Sequence, residues 1–193
     1  METCTKPSPT DQYRLWGTRI RQDDEEAYRE LFQESYLQLF KYAGRFIDSR
    51  DICKDVLQEV YYRLWQFRKR IDENKSLKAF LYILVRNECM NYINSDQQRY
   101  VDSELSENVL VDDYFEMDEL NGEEELLQEK IHQWISELPG RQKEAIELSR
   151  YEGLDHTEIA KVMNCAPRTI NNHIVLALKT LRDKYLRWKQ LQT

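Results

Sequence analysis

Apolar residues along this chain return every three to four positions in one segment after another, and they do not alternate with polar ones over strand lengths. That pattern predicts helices throughout. The first runs from Tyr13 to Gln22, with Leu15, Trp16 and Ile20 on one face. After an acidic turn at Asp23–Glu26 a longer helix extends to about Ile47, its buried stripe formed by Leu31, Phe32, Leu39, Phe40 and Ala43. Asp48-Ser49-Arg50-Asp51 interrupts it, and Ser49 or Asp51 is suited to cap the next helix, DICKDVLQEVYYRLWQF. There Val56, Leu57, Val60, Tyr61, Leu64 and Trp65 face a core, while Asp55, Gln58, Glu59 and Arg63 project outward. A polar loop from Arg68-Lys69-Arg70 through Ser76 leads into LKAFLYILVRNECMNYI, where Phe80, Leu81, Leu84, Cys89 and Ile93 fill the buried positions. Lys78, Tyr82, Arg86 and Asn87 occupy its other faces. Further on, Leu127, Ile131, Trp134, Ile135 and Leu138 form another stripe, ended by Pro139-Gly140, and one more helix covers Arg141 to Glu152.

The stretch from Asp155 to Arg182 reads as two helices hinged by a tight turn, a helix-turn-helix signature. Asp155 and Glu158 have capping-box spacing, so a helix starts there, with Ile159, Ala160 and Met163 on one face. Asn164-Cys165-Ala166 breaks it, and Pro167 pre-sets the first turn of a second helix, in which Ile170, Ile174, Ala177, Leu178 and Leu181 turn inward. Arg168, Thr169, Asn171, Asn172, Val175 and Lys179 remain on the opposite face, mostly donors and acceptors long enough to reach base edges or phosphates. An ordinary helical hairpin with a solvated polar face fits the same pattern. Likewise, the basic residues interleaved with aromatic rings between Arg68 and Asn87 suit a phosphate backbone with unstacked bases, but also a helix whose aromatics are all core.

Charge alters the picture of organisation. The formal net charge of −7 would suit a nucleic-acid binder poorly, but residues 100–125 hold eleven acidic residues and no Lys or Arg. Seventeen basic residues face sixteen acidic ones in 1–99, a balance of +1, and eleven face eight in 126–193, a balance of +3. The expected architecture is therefore all-α: two small, modestly basic helical domains at 11–99 and 126–188, joined by an extended acidic linker at 100–125. Val109, Leu110, Val111, Tyr114 and Phe115 are scattered among the linker's acids, which favour solvation over burial, the alternatives being an autoinhibitory contact or a course through a partner's cleft. No apolar run is long enough to span a bilayer, and METCTKPSPTDQ lacks a signal core, which predicts a soluble, cytoplasmic protein. Cys4, Cys53, Cys89 and Cys165 are far apart without a C-x-x-C, and His132, His156 and His173 are equally scattered, so neither disulfide, metal nor cofactor is expected.

Three stretches resemble one family, the bacterial RNA polymerase sigma factors of the sigma-70 class, in their extracytoplasmic-function (ECF) subgroup. DVLQEVYYRLWQF resembles the D-x-x-Q-E-V-F-x-x-L-W core of sigma region two, and AFLYILVRN the A-W-L-Y-x-I-A-R-N segment after it. The run from Glu137 to Arg182 resembles region four, with its E-I-A first helix and A-L-x-x-L-R exit. Asn164 replaces the usual turn glycine, and Ala166 the usual small hydroxyl cap, which leaves the second helix the element whose ordering is most expected to depend on bound promoter.

The resemblance implies a function for each face. Asp55, Gln58 and Glu59 would dock on a coiled-coil clamp of core RNA polymerase. Arg68, Lys69, Arg70, Lys75, Lys78, Tyr82, Arg86 and Asn87 would engage the minus-ten element of promoter DNA, where the family melts the duplex by capturing a flipped base. Arg168, Thr169, Asn171, Asn172, His173 and Lys179 would read the minus-thirty-five element. An anti-sigma factor is an implied further partner. Catalysis belongs to the polymerase, so no catalytic residue is expected. A helix-turn-helix regulator acting without a holoenzyme would use residues 126–188 alone and leave the outward faces of 55–87 idle. A helical enzyme is disfavoured because no nucleophile–base set, carboxylate pair, phosphate loop or metal spacing occurs.

Overall fold

The computed structural model describes residues 9–97 and 122–190, and every regular element among them is helical. They fall into two compact units, one on each side of the acidic segment. Of that segment, residues 100–121 lie outside the described residues, including the five apolar positions singled out above, and so does Cys4. Among the described residues no helix is long and apolar enough to cross a membrane.

The first unit contains α1 (Pro9–Arg21), α2 (Glu25–Ala43), α3 (Arg50–Gln66), a short 3-10 turn at Arg68–Arg70, and α4 (Leu77–Gln97). Local chemistry sets the helix starts. Asp24 accepts from the amide of Ala27 at 3.0 Å and opens α2, Ser49 accepts from Ile52 and opens α3, and Ser76 accepts from Ala79 at 3.1 Å and opens α4. The predicted run of α2 to Ile47 is shortened: the chain turns at Gly44–Phe46, and Ile47 enters the core from the connection instead.

α4 packs against α1, α2 and α3, and this explains the main departures from the predicted core. A helix enclosed on three sides hides most of its circumference, so the apolar pattern alone does not pick its inward face. Leu77, Leu81, Tyr82, Val85 and Cys89 are buried, whereas Phe80 keeps 39% of its surface. Tyr82, expected on a DNA-facing side, lies instead in the core at 2% exposure, its ring edge-on to Tyr42 at 5.0 Å. On α1 Tyr13 joins Trp16 and Ile20 inside, and Leu15 points out. On α2 the stripe is Ala27, Leu31, Ser35, Leu39 and Tyr42, with Phe32 exposed and Phe40 half-buried. Ser35 enters this apolar line because its hydroxyl is satisfied, donating to the Leu31 carbonyl at 2.6 Å and bonding the Tyr61 hydroxyl at 2.8 Å.

The second unit contains α5 (Gly122–Ser136), α6 (Gly140–Arg150), α7 (His156–Val162) and α8 (Pro167–Gln190). α8 packs against all three others. α5 begins four residues before the expected domain start, inside the acidic segment, because a helix backbone tolerates the run of Glu at its N-terminal turn. Trp134, Ile135 and Leu138 are buried as predicted, and Ile131 is exposed. α7 and α8 form the expected helix-turn-helix. The capping box is complete: Asp155 accepts from the amides of Thr157 (2.7 Å) and Glu158 (2.8 Å), and Glu158 accepts from the amide of Asp155 (2.8 Å). Asn164 carries the turn with φ of +50°, the left-handed conformation that asparagine accepts more readily than most residues. Arg141 of α6 donates to the Met163 carbonyl at 3.3 Å and ties this turn to the rest of the unit. α8 begins at Pro167 without a side-chain cap at Ala166, held by the burial of Ile170, Ile174 and Ala177; Leu178 is exposed and Leu181 only half-buried.

Candidate nucleic-acid and partner interfaces

Three surfaces carry the residues singled out in the sequence. The first is the outward side of α3. Asp55 and Gln58 are exposed, as expected, while Glu59 is half-buried and already engaged, accepting from Arg63 Nε at 2.5 Å. Arg63 also bonds Glu88 of α4, so one guanidinium links the outward acid of α3 to the next helix. Beside Gln58 lies a groove of about 630 Å³ between α2 and α3. Tyr28, Phe32, Tyr61, Tyr62 and Trp65 line it. Its floor is cross-braced: the Tyr28 hydroxyl donates to the Tyr61 carbonyl at 3.0 Å, and the Tyr28 ring lies 5.0 Å from Trp65 and 6.3 Å from Tyr61. Burial pushes the Tyr28 and Tyr61 hydroxyls up from the ordinary tyrosine range, so both remain donors at neutral pH. Sequence reading missed this groove because Phe32 and Trp65 fit a helical stripe, and only the spacing of α2 from α3 leaves them partly open.

The second surface runs from the 3-10 turn along α4. Its basic residues are mostly engaged within the chain. Arg68 lies 4.3 Å over the Trp65 ring and pairs with Asp23, as does Lys69. Arg70 stacks at 5.3 Å on Phe67, itself 51% exposed, and Lys75 pairs with Asp72 at 3.1 Å. Lys78 stands 5.6 Å over Tyr13, Arg86 5.8 Å over Phe46, and Asn87 is exposed. Such stacking keeps each cation at the surface with its stem supported. Tyr82 leaves the predicted set by burial, while Phe80, expected in the core, and Phe67, given no role by the sequence pattern, both keep exposed rings. Asp23 is also new to this surface. Nothing in the sequence linked an acidic turn to cations 45 residues later.

The third surface is the outward face of α8. Arg168, Asn171, Asn172, Val175 and Lys179 are exposed there at helical spacing, over the helix that follows the turn. Thr169 and His173 are half-buried on its flank. Among the described residues no cluster of His, Cys, Asp or Glu is arranged to hold a metal ion.

Comparison with known proteins agrees with the division into two helical units. The sigma-70 region 2 model matches residues 30–99 and the sigma-70 region 4 model matches residues 128–181, together nearly two thirds of the chain. RNA polymerase sigma-H factor of Pseudomonas aeruginosa is 25% identical over 177 residues, covering 87% of this chain and 90% of that protein. ECF RNA polymerase sigma-E factor of Escherichia coli is 24% identical over 184 residues, covering 91% and 94%. Among solved structures, the sigma factor RpoE in complex with the anti-sigma factor NepR from Bartonella quintana has the same fold, with a TM-score of 0.59, 21% identity, and coverage of 81% of this chain and 97% of that one. CnrH in complex with the cytosolic domain of CnrY gives a TM-score of 0.57 at 17% identity, covering 90% and 96%. With both family regions matched in order on two helical units, and relatives of like length aligned nearly end to end, the chain belongs to the sigma-70 family as a sigma factor of the ECF subfamily.

Proposed function

We propose that this sigma factor binds core RNA polymerase through the outward side of α3, directs it to promoters through the other two surfaces, and helps to open the duplex. What chiefly supports this reading is the acid–amide row of Asp55, Gln58 and Glu59 with its neighbouring aromatic groove, which differs in chemistry from the cation–aromatic surface that it adjoins at Trp65. A DNA-binding regulator acting alone has no use for that row. Asp55 and Glu59 suit a basic partner and set orientation and encounter rate, while Phe32, Tyr62 and Trp65 supply the apolar anchor area that charge alone does not.

For the minus-ten element, Arg70, Lys75, Lys78, Arg86 and Asn87 hold the backbone, and Phe67 and Phe80 offer rings to unstacked bases. Extruding a base takes a few kcal/mol, which contacts made only by the opened strand must offset. For the minus-thirty-five element, Arg168, Asn171 and Asn172 read base edges and Lys179 holds a phosphate, with Thr169 and His173 at the margin. The domains act as 11–99 and 126–188 on either side of the acidic linker, in the cytoplasm, with an anti-sigma factor as the regulatory partner. The sigma factor RpoE of Bartonella quintana, which shares this fold, was captured with the anti-sigma factor NepR.

The test is pulldown of core polymerase by the purified chain, followed by run-off transcription from a matched promoter. Binding and initiation are expected, and loss of both would reject the assignment. Asp55→Arg with Glu59→Arg should abolish core binding by at least about tenfold while the helical circular-dichroism signal stays intact. Unchanged affinity would remove these residues from the interface.

A further inference from the structure

Asp23 sits in the turn between α1 and α2 with φ of +68°, a conformation uncommon outside glycine, although Asn and Asp tolerate it best. From there its two carboxylate oxygens divide between two cations. Oδ1 accepts from Arg68 Nε at 2.5 Å and Oδ2 from Lys69 Nζ at 2.5 Å. Arg68 is held from behind as well, its guanidinium over the Trp65 ring and its Nη1 donating to the Trp65 carbonyl at 2.6 Å. An arginine backed by an aromatic ring and paired with a lysine, each on its own oxygen, makes the same contacts that two non-bridging phosphate oxygens would receive.

Stability alone explains this arrangement poorly. Arg68 is largely shielded at 24% exposure, but Lys69 and Asp23 retain 61% and 48% of their surface, and ion pairs whose carboxylate is this open to water contribute little to folding. The backbone conformation does not need the charge either, since Asn accepts left-handed angles equally well. What the charge does is cancel one of two adjacent cations on the surface assigned to DNA, and its openness lets a competitor reach the pair.

We propose that Arg68 and Lys69 form a phosphate seat which Asp23 fills in the free protein, and that DNA is captured by exchanging this carboxylate for a backbone phosphate. The exchange lowers affinity for every DNA alike and leaves discrimination to contacts elsewhere, so Asp23 sets a threshold that an arbitrary strand fails to pass. This inference rests on the reading of the Arg68–Asn87 stretch as the minus-ten surface.

The test measures anisotropy of a fluorescein-labelled A/T-rich single-stranded oligonucleotide titrated with the full chain at several salt concentrations. Asp23→Asn keeps the turn and should bind about threefold to tenfold tighter at low salt. Its plot of log affinity against log salt should be steeper by roughly 0.7 for each phosphate contact restored on a single strand. Asp23→Gly should reproduce both effects, and Arg68→Ala with Lys69→Ala should remove them in the Asp23→Asn background. An unchanged or weaker affinity for Asp23→Asn overturns the proposal, as does a gain that survives loss of both cations. If the double alanine variant binds DNA as well as its parent in both backgrounds, the seat is rejected; if alanine at Arg70, Lys78 and Arg86 also leaves binding unchanged, the minus-ten assignment itself fails.

Discussion

Along the outward face of α8 the residues differ in what they offer a base pair. Arg168, Asn171 and Asn172 present donors and acceptors, and one turn further Val175 leaves 55% of its surface open among them. Two branched methyls at that position suit the C5-methyl of thymine. Replacing the minus-thirty-five thymines of a selected promoter by deoxyuridine should therefore weaken wild-type binding about two- to fivefold but leave Val175→Ala indifferent, and equal losses in both would exclude the contact. Asn171→Ala should reduce discrimination between promoter and random duplex more than total affinity, and an equal loss on both would reduce Asn171 to backbone positioning. On α4, Tyr82→Ala should lower stability by about 3 kcal/mol, the usual result of emptying an aromatic core position, while Phe80→Ala should leave the melting temperature nearly unchanged and weaken single-strand binding. Thermal melts and anisotropy titrations on the two variants check this directly. The other buried reactive groups are inert: burial raises the Cys53 thiol and pushes Cys89 up to about 12, so both stay protonated and hidden at neutral pH.

At the scale of elements, the helix-turn-helix is asymmetric in its local support. α7 has a complete capping box, and the hydroxyl of Thr157, followed by the amides of Glu158 and Thr157, holds the Asp155 carboxyl below its ordinary value of 3.8. A carboxyl depressed in the folded state stabilises above that ordinary value and loses the contribution as pH falls through the lower folded-state value. Asp155→Ala should thus cost about 1 kcal/mol at neutral pH and progressively less as pH drops below about 3.8, which parallel urea titrations would reveal. α8 has no such cap. Ala166→Ser should stabilise its unit by about 0.5–1 kcal/mol, provided the hydroxyl reaches an amide of the first turn, and an unchanged melting temperature would show that proline and burial already suffice. α3 shows the opposite situation, since its outward Glu59 is tied through Arg63 to Glu88 of α4. The polymerase contact proposed at Glu59 would therefore share its carboxylate with the fold.

Over the whole molecule, the division into units with separate buried cores, around α4 in one and α8 in the other, predicts two thermal transitions in calorimetry of the full chain. A single two-state transition would contradict it. The periodicity of apolar residues was enough to place the helices, because burial of one face is a local demand repeated every turn. The capping box, the left-handed Asn164 and the outward polar face of α8 were legible for the same reason: each depends on residues within a few positions of one another. Motif order and the isolation of acid in residues 100–125 were enough to indicate two domains and the family. What required the tertiary structure is whatever depends on a neighbour distant in sequence. α4 meets three helices, so burial of Tyr82 and exposure of Phe80 were undetermined by its own pattern. Phe32 and Trp65 became groove walls only through the separation of α2 and α3, and Asp23 became the counter-ion of Arg68 and Lys69 only because a turn folds back onto cations far along the chain. Helical spacing fixes which side chains share a face; packing alone decides what that face meets.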